Sequence, residues 1–136
     1  MFTRFFIYGL LGWNMEVFYT GLGSALRGDP RLEAHTYLWM FPIYGLAVFL
    51  EPLHDSMRHL HWYLRGLIWV LVIWMLEYST GGLIRAIVGS SPWHYHDGWQ
   101  IGGLIKLDMA PLWFMVGLLY EKLHDRLAAW DLTGAR

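Results

Sequence analysis

The sequence predicts an all-α, polytopic membrane protein with four transmembrane helices, arranged as two repeats of two. Three observations carry this. Hydrophobic residues make up 56% of the 136 and charged residues only 15%, against about half and about a quarter in ordinary soluble domains. Four apolar stretches approach the roughly 20 residues that cross a bilayer as helix. Each stretch carries one glutamate, at Glu16, Glu51, Glu77 and Glu121, and a carboxylate among Trp and Leu is costly unless paired, protonated or bound to something.

The elements follow in chain order. The first helix is expected over residues 5–25. Arg4, the apolar run and the small residues Gly23 and Ala25 also fit a signal peptide, but Asn14, Glu16 and the likeness to the third stretch favour a retained helix. Residues 27–36 (RGDPRLEAHT) are polar and turn-rich. The second helix, 37–57, ends in Glu51-Pro-Leu-His54-Asp55, and residues 54–62, with Arg58 and three histidines, read as its continuation or as an inner connection. The third, 63–88, is the strongest, because Gly66 to Leu76 holds no charge. Residues 89–103 (GSSPWHYHDGWQIGG) read as a structured aromatic cap rather than a slack linker. The fourth helix is expected over 104–123, with residues 127–136 as a short tail on the inner surface.

Lys and Arg counts orient the bundle. Arg4, Arg58, Arg65, Lys122, Arg126 and Arg136 fall on the amino-terminal side, and Arg27, Arg31, Arg85 and Lys106 on the other. This predicts a multi-pass inner-membrane protein with both termini cytoplasmic and the Trp93 loop outside. The nine tryptophans and eight tyrosines suit membrane interfaces, so membrane lipid is an expected partner.

Residues 1–61 and 62–136 read as related halves. Trp13-Asn-Met-Glu16 matches Trp74-Met-Leu-Glu77, each with Thr-Gly close behind (Thr20-Gly21, Thr80-Gly81). Pro42 and Pro111 mark helix entries, and Glu51-Pro-Leu-His54-Asp55 matches Glu121-Lys-Leu-His124-Asp125. Two-helix halves keep the same orientation, which is the parallel-repeat arrangement of some transporters.

Glu16 and Glu77 fall mid-helix, where an acid serves as a structural polar knot, pairs with a cation such as Arg85, or holds a proton or cation. Glu51-x-x-His54 and Glu121-x-x-His124 place carboxylate and imidazole on one helical face. With a lone glutamate on each of the other two helices, this is the ligand inventory of four-helix di-metal carboxylate proteins holding Fe, Mn or Zn. Depth argues against one shared site: Glu51 and Glu121 lie near helix ends, on the order of 10 Å from the mid-helix acids. The bland reading makes His54, Asp55, His124 and Asp125 interfacial helix ends. In the outer loop, His94, His96 and Asp97 alternate and could bind a metal or titrate, while Asp108 behind them could pair with Arg85 or Lys106.

Other classes are excluded. Net charge is −1 with no basic run, so there is no nucleic-acid partner. With no cysteine, disulfide and thiol chemistry are absent. No P-loop, nucleophile elbow or dinucleotide fingerprint occurs.

Gly12-Trp13-x-x-Glu16, Pro42-Ile-Tyr44-Gly45, Leu76-Glu77-Tyr78-x-Thr80-Gly81 and Pro92-Trp93-x-Tyr95, followed by Gly103, resemble the CmpB-like ABC-transporter type IV membrane family, which includes the transmembrane protein 229 proteins. The likeness runs from about Tyr8 to Glu121. It implies a shared site of the four glutamates with Arg85, Tyr44, Trp93, Tyr95 and Asp108. His94 and His96 depart from the family's usual Asp and Ser, and His54 and His124 lie outside its pattern, which weakens the metal idea. The resemblance supplies no reaction, since an ABC transporter needs an ATPase and no nucleotide motif is present.

The leading expectation is a small, homo-oligomeric transport or channel-like protein for a cation or proton-coupled solute. Glu16 and Glu77 would be its coupling acids, and Arg85, Asp108, Tyr44, Trp93 and Tyr95 its outward-facing site. A membrane-embedded enzyme acting on a lipid headgroup, with or without a metal, is the alternative. A structural or accessory subunit is the third.

Overall fold

A computed structural model describes residues 1–133, with side chains described through Trp130. Arg136, counted above for orientation, lies outside the described residues. The described chain is mostly helical and falls into two compact units, Met1–Pro52 and the chain from Leu53 onward.

Unit 1 opens with α1 (Phe2–Leu26). Proline-free and rich in Leu and Phe, it runs about 37 Å at the helical rise. It stops where Gly28 adopts φ +81 and Pro30 follows, since proline cannot continue a helix. After the connection come α2 (Met40–Gly45), a 3₁₀ segment (Leu46–Leu50) and the first residues of α3 (Glu51–Met57). The continuous span expected over 37–57 is therefore three tightened pieces. Pro52 has no N–H to give the Val48 carbonyl, and the backbone before it narrows to i→i+3 bonding. Aromatic packing joins α2 to α1: the Phe41 ring meets Phe5, Phe6 and Trp13 at 5.7–6.3 Å between centroids. A Cβ on Gly12 would collide with the Tyr44 ring, so glycine there fixes where Tyr44 lies.

Unit 2 contains the rest of α3, then α4 (Trp62–Val88) and α5 (Ala110–Thr133). Between α4 and α5 lie a small antiparallel hairpin, β1 (Gln100–Ile101) with β2 (Ile105–Lys106), and a 3₁₀ turn, Leu107–Met109. Gly89 closes α4 in the left-handed conformation. Pro111 sits in the first turn of α5, where its missing N–H costs nothing. Trp69, Val70, Ile84, Leu104 and Leu127 are buried, and Trp69 and Phe114 pack where Gly117 and Gly66 offer no side chain.

Three expectations are corrected here. The fourth helix begins at Ala110 rather than 104, because Leu104 and Ile105 are drawn into the hairpin cap and buried. It then continues to Thr133, so most of the supposed tail is helix. Among the described residues α4 is also the one helix long and apolar enough to cross a membrane. The first is broken up by Arg4, Asn14 and Glu16, the second by its 3₁₀ turn, and α5 carries Glu121, Lys122, Asp125 and Arg126. Length and composition thus support one span rather than four.

Candidate functional site

The four glutamates divide by the chemistry of their partners. In unit 1, Glu51 accepts from Arg4 Nη1 at 2.6 Å and from the Tyr8 hydroxyl at 2.8 Å. In unit 2, Arg65 Nε lies 3.0 Å from both oxygens of Glu121, and Trp69 Nε1 donates at 2.8 Å. The two sets follow one design. An arginine in the first turns of a long helix and an aromatic donor one turn later both reach the glutamate that opens the repeated phrase. Arg65 Nη1 also caps the Leu60 carbonyl at 2.9 Å.

None of Arg4, Tyr8, Arg65 and Trp69 stood out in the sequence as a partner. A signal was present: the same spacing separates Arg4 from Arg65, Tyr8 from Trp69, Trp13 from Trp74 and Glu16 from Glu77. Glu121, His54 and His124 are buried within unit 2, whereas Asp55 and Asp125 are exposed.

His54 and His124 are both buried in unit 2, with rings perpendicular at 5.5 Å. His54 Nε2 stands 3.3 Å from Asp125 Oδ1, and its Nδ1 3.4 Å from Glu121 Oε1. His124 Nε2 lies 3.5 Å from Asp55 Oδ1. Arg58 ties the outer ends together, reaching Asp125 at 2.6 Å and Asp55 at 2.8 Å. The guanidinium of Arg58 holds the Asp125 carboxyl below the usual carboxylate range. Of the expected ligand set Glu51, His54, Glu121 and His124, Glu51 is taken up by Arg4 and Tyr8 in unit 1, and the other three lie in unit 2. Among the described residues no group of three or more His, Asp or Glu is placed to hold a metal ion.

The mid-helix acids are held differently. Glu16, half-buried, accepts from the Tyr44 hydroxyl at 3.0 Å, and no Lys or Arg pairs with it among the described residues. Glu77 accepts from the Tyr95 hydroxyl at 3.5 Å. In both units the loop after the long helix folds back onto the Thr-Gly pair. Thr20 Oγ1 exchanges bonds with the His35 backbone at 2.9 and 3.1 Å, and Gly81 leaves room for Trp93 and Leu104.

Trp93 is a buried anchor whose indole donates to the Leu104 carbonyl at 3.1 Å. Arg85 and Asp108 are exposed and do not pair with each other. Lys106 pairs with Asp97 at 3.4 Å rather than with Asp108. His94 and His96 are exposed, with rings 4.6 Å apart. Two buried indole donors of unit 2, Trp74 and Trp113, meet no acceptor among the described residues.

No solved structure matches this chain. A family model does, over residues 3–132, nearly the whole length, and the chain therefore belongs to the family described as "Putative ABC-transporter type IV".

Proposed function

We propose that this protein is a transport-related membrane protein in which Glu16, with Glu77 as its counterpart in the other unit, binds the transported cation or proton. The family's name supports the broad statement, membrane and transport. The observation that carries the finer one is the hydroxyl partner of Glu16. A carboxylate locked to arginine, as Glu51 and Glu121 are, has its charge already balanced. A half-buried carboxylate whose donor is a tyrosine hydroxyl can exchange a proton for a cation without breaking an ion pair.

In this reading the protein is multi-pass with both termini inside: α4 crosses the bilayer, and a second, less apolar crossing returns the chain to the inner side. Exposed apolar side chains support lipid contact, with Leu67, Leu71 and Met75 spaced one turn apart along α4 and Phe6, Leu10 and Phe18 on α1. Tyr44 and Tyr95 orient the two acids, and Trp93 anchors the loop that presents Tyr95. Arg85 and Asp108 stand as exposed charges at the mouth. The unsatisfied indoles of Trp74 and Trp113 are donors that a solute could meet.

The test is flux of protons, Na⁺ and K⁺, each measured separately, into liposomes carrying the purified chain. At least one ion should move faster than into empty liposomes, and Glu16→Gln and Glu77→Gln should each abolish that excess. Flux equal to that of empty liposomes for all three ions would remove the proposal.

A further inference from the structure

We infer that unit 2 carries a second site, independent of the transport reading: a cationic pocket that binds the phosphate of an anionic phospholipid headgroup. The pocket, about 370 Å³, is lined by His54, Arg58, Trp62, Arg65, Leu118, Glu121, Lys122 and Asp125. That volume lies within the range of small-ligand sites.

Its lining carries three cations, Arg58, Arg65 and Lys122, against two carboxylates, Glu121 and Asp125, and Asp55 outside the lining also pairs with Arg58. Glu121 is spent on Arg65 and the Trp69 indole, and Asp125 on Arg58. The Lys122 ammonium pairs with no carboxylate among the described residues, and Arg58 engages Asp55 and Asp125 through Nε and Nη2. This leaves Arg58 Nη1 and the three lysine donors available to an incoming anion. Glu121 lies buried and already bonded, while Asp125 is as exposed as the Arg58 that pairs with it and Lys122 is exposed beside them, so an anion at the rim meets the Lys122 ammonium and the remaining Arg58 donor.

Depth selects lipid as the source. Trp62 and Tyr63 are exposed at the first two positions of α4, the helix long and apolar enough to span. Aromatic residues at the entry of a span sit at headgroup level. Trp62 and Arg65 are themselves pocket walls, so the pocket opens at the same depth. Basic pockets at this level on a membrane protein are suited to acidic headgroups.

Native mass spectrometry of the full chain in detergent tests this, titrating phosphatidylglycerol, phosphatidylcholine and inorganic phosphate in turn. Phosphatidylglycerol should bind well ahead of phosphatidylcholine. Lys122→Gln should weaken it about fivefold, while Arg126→Gln, on the same helix but outside the pocket, should leave it unchanged. Both lysine and arginine are exposed and free of ion pairs among the described residues, so both variants should fold. Inorganic phosphate binding with no preference between the two lipids would overturn the lipid assignment. Equal losses in Lys122→Gln and Arg126→Gln, or no loss in either, would overturn the pocket.

Discussion

Units 1 and 2 hold their end glutamates by the same device at different depths. The side chain of Glu51 keeps 15% of its surface exposed and that of Glu121 only 5%. Unit 1 uses Tyr8 as the second donor, and unit 2 uses Trp69, which is almost wholly buried. Around Glu121 two histidines, Asp125 and Arg58 close a buried-to-exposed polar network. The difference teaches that one repeated phrase can anchor a helix pair in one unit and seed a buried polar cluster in the other. The cost of breaking each copy should scale with burial.

The comparison is broken first at Arg65. Arg65→Ala leaves the Glu121 charge buried with the indole as its main donor, and should destabilise by about 3–5 kcal/mol, read as the unfolding midpoint in detergent. Replacing Glu121 as well, in the double variant Arg65→Met with Glu121→Leu, should recover most of that loss. Failure of the double variant to recover would show that the pair does more than balance charge. Arg4→Ala should cost less, about 1.5–3 kcal/mol, because Glu51 keeps the Tyr8 hydroxyl and reaches solvent. Equal losses at Arg4 and Arg65 would dissolve the distinction between the units.

Trp69→Phe should cost about 1–2 kcal/mol, since a donor to a buried carboxylate is removed and little volume with it. The smallest effect belongs to Asp125, nearly half exposed and paired with Arg58. Its pKa is depressed in the folded state, so its contribution is present above the ordinary carboxylate range near pH 4 and is lost as pH falls through the lower folded value. Asp125→Asn should remove under about 1 kcal/mol at neutral pH and flatten that acid limb, more visibly at low salt. An unchanged acid limb would show that Asp125 does not set it.

Composition and apolar runs made two of the three long helices legible, and α1 and α4 lie close to where the sequence puts them. The second and fourth elements were misjudged for a common reason. Hydropathy does not register how Pro52 tightens a helix, nor that Leu104 and Ile105 bury themselves in a hairpin. That Glu16 bonds Tyr44 and Glu77 bonds Tyr95 was not legible, because each pair joins residues far apart in the sequence and is a product of packing. The arginine clamps were missed because a lone Arg near a helix start reads as an orientation signal. Its reach to a glutamate far along the chain is a product of packing. The histidines were read as metal ligands or helix ends, and only the fold shows each facing a carboxylate.

The central claim is a division of labour between glutamates balanced by arginine and those held by tyrosine. Ion flux and unfolding midpoint measured together on reconstituted Glu16→Gln and Glu121→Gln test it most directly. The account predicts that Glu16→Gln loses flux with a midpoint within a few degrees of the unaltered protein, whereas Glu121→Gln lowers the midpoint sharply. Unaltered flux in a folded Glu16→Gln protein, or a midpoint as low as that of Glu121→Gln, would contradict it.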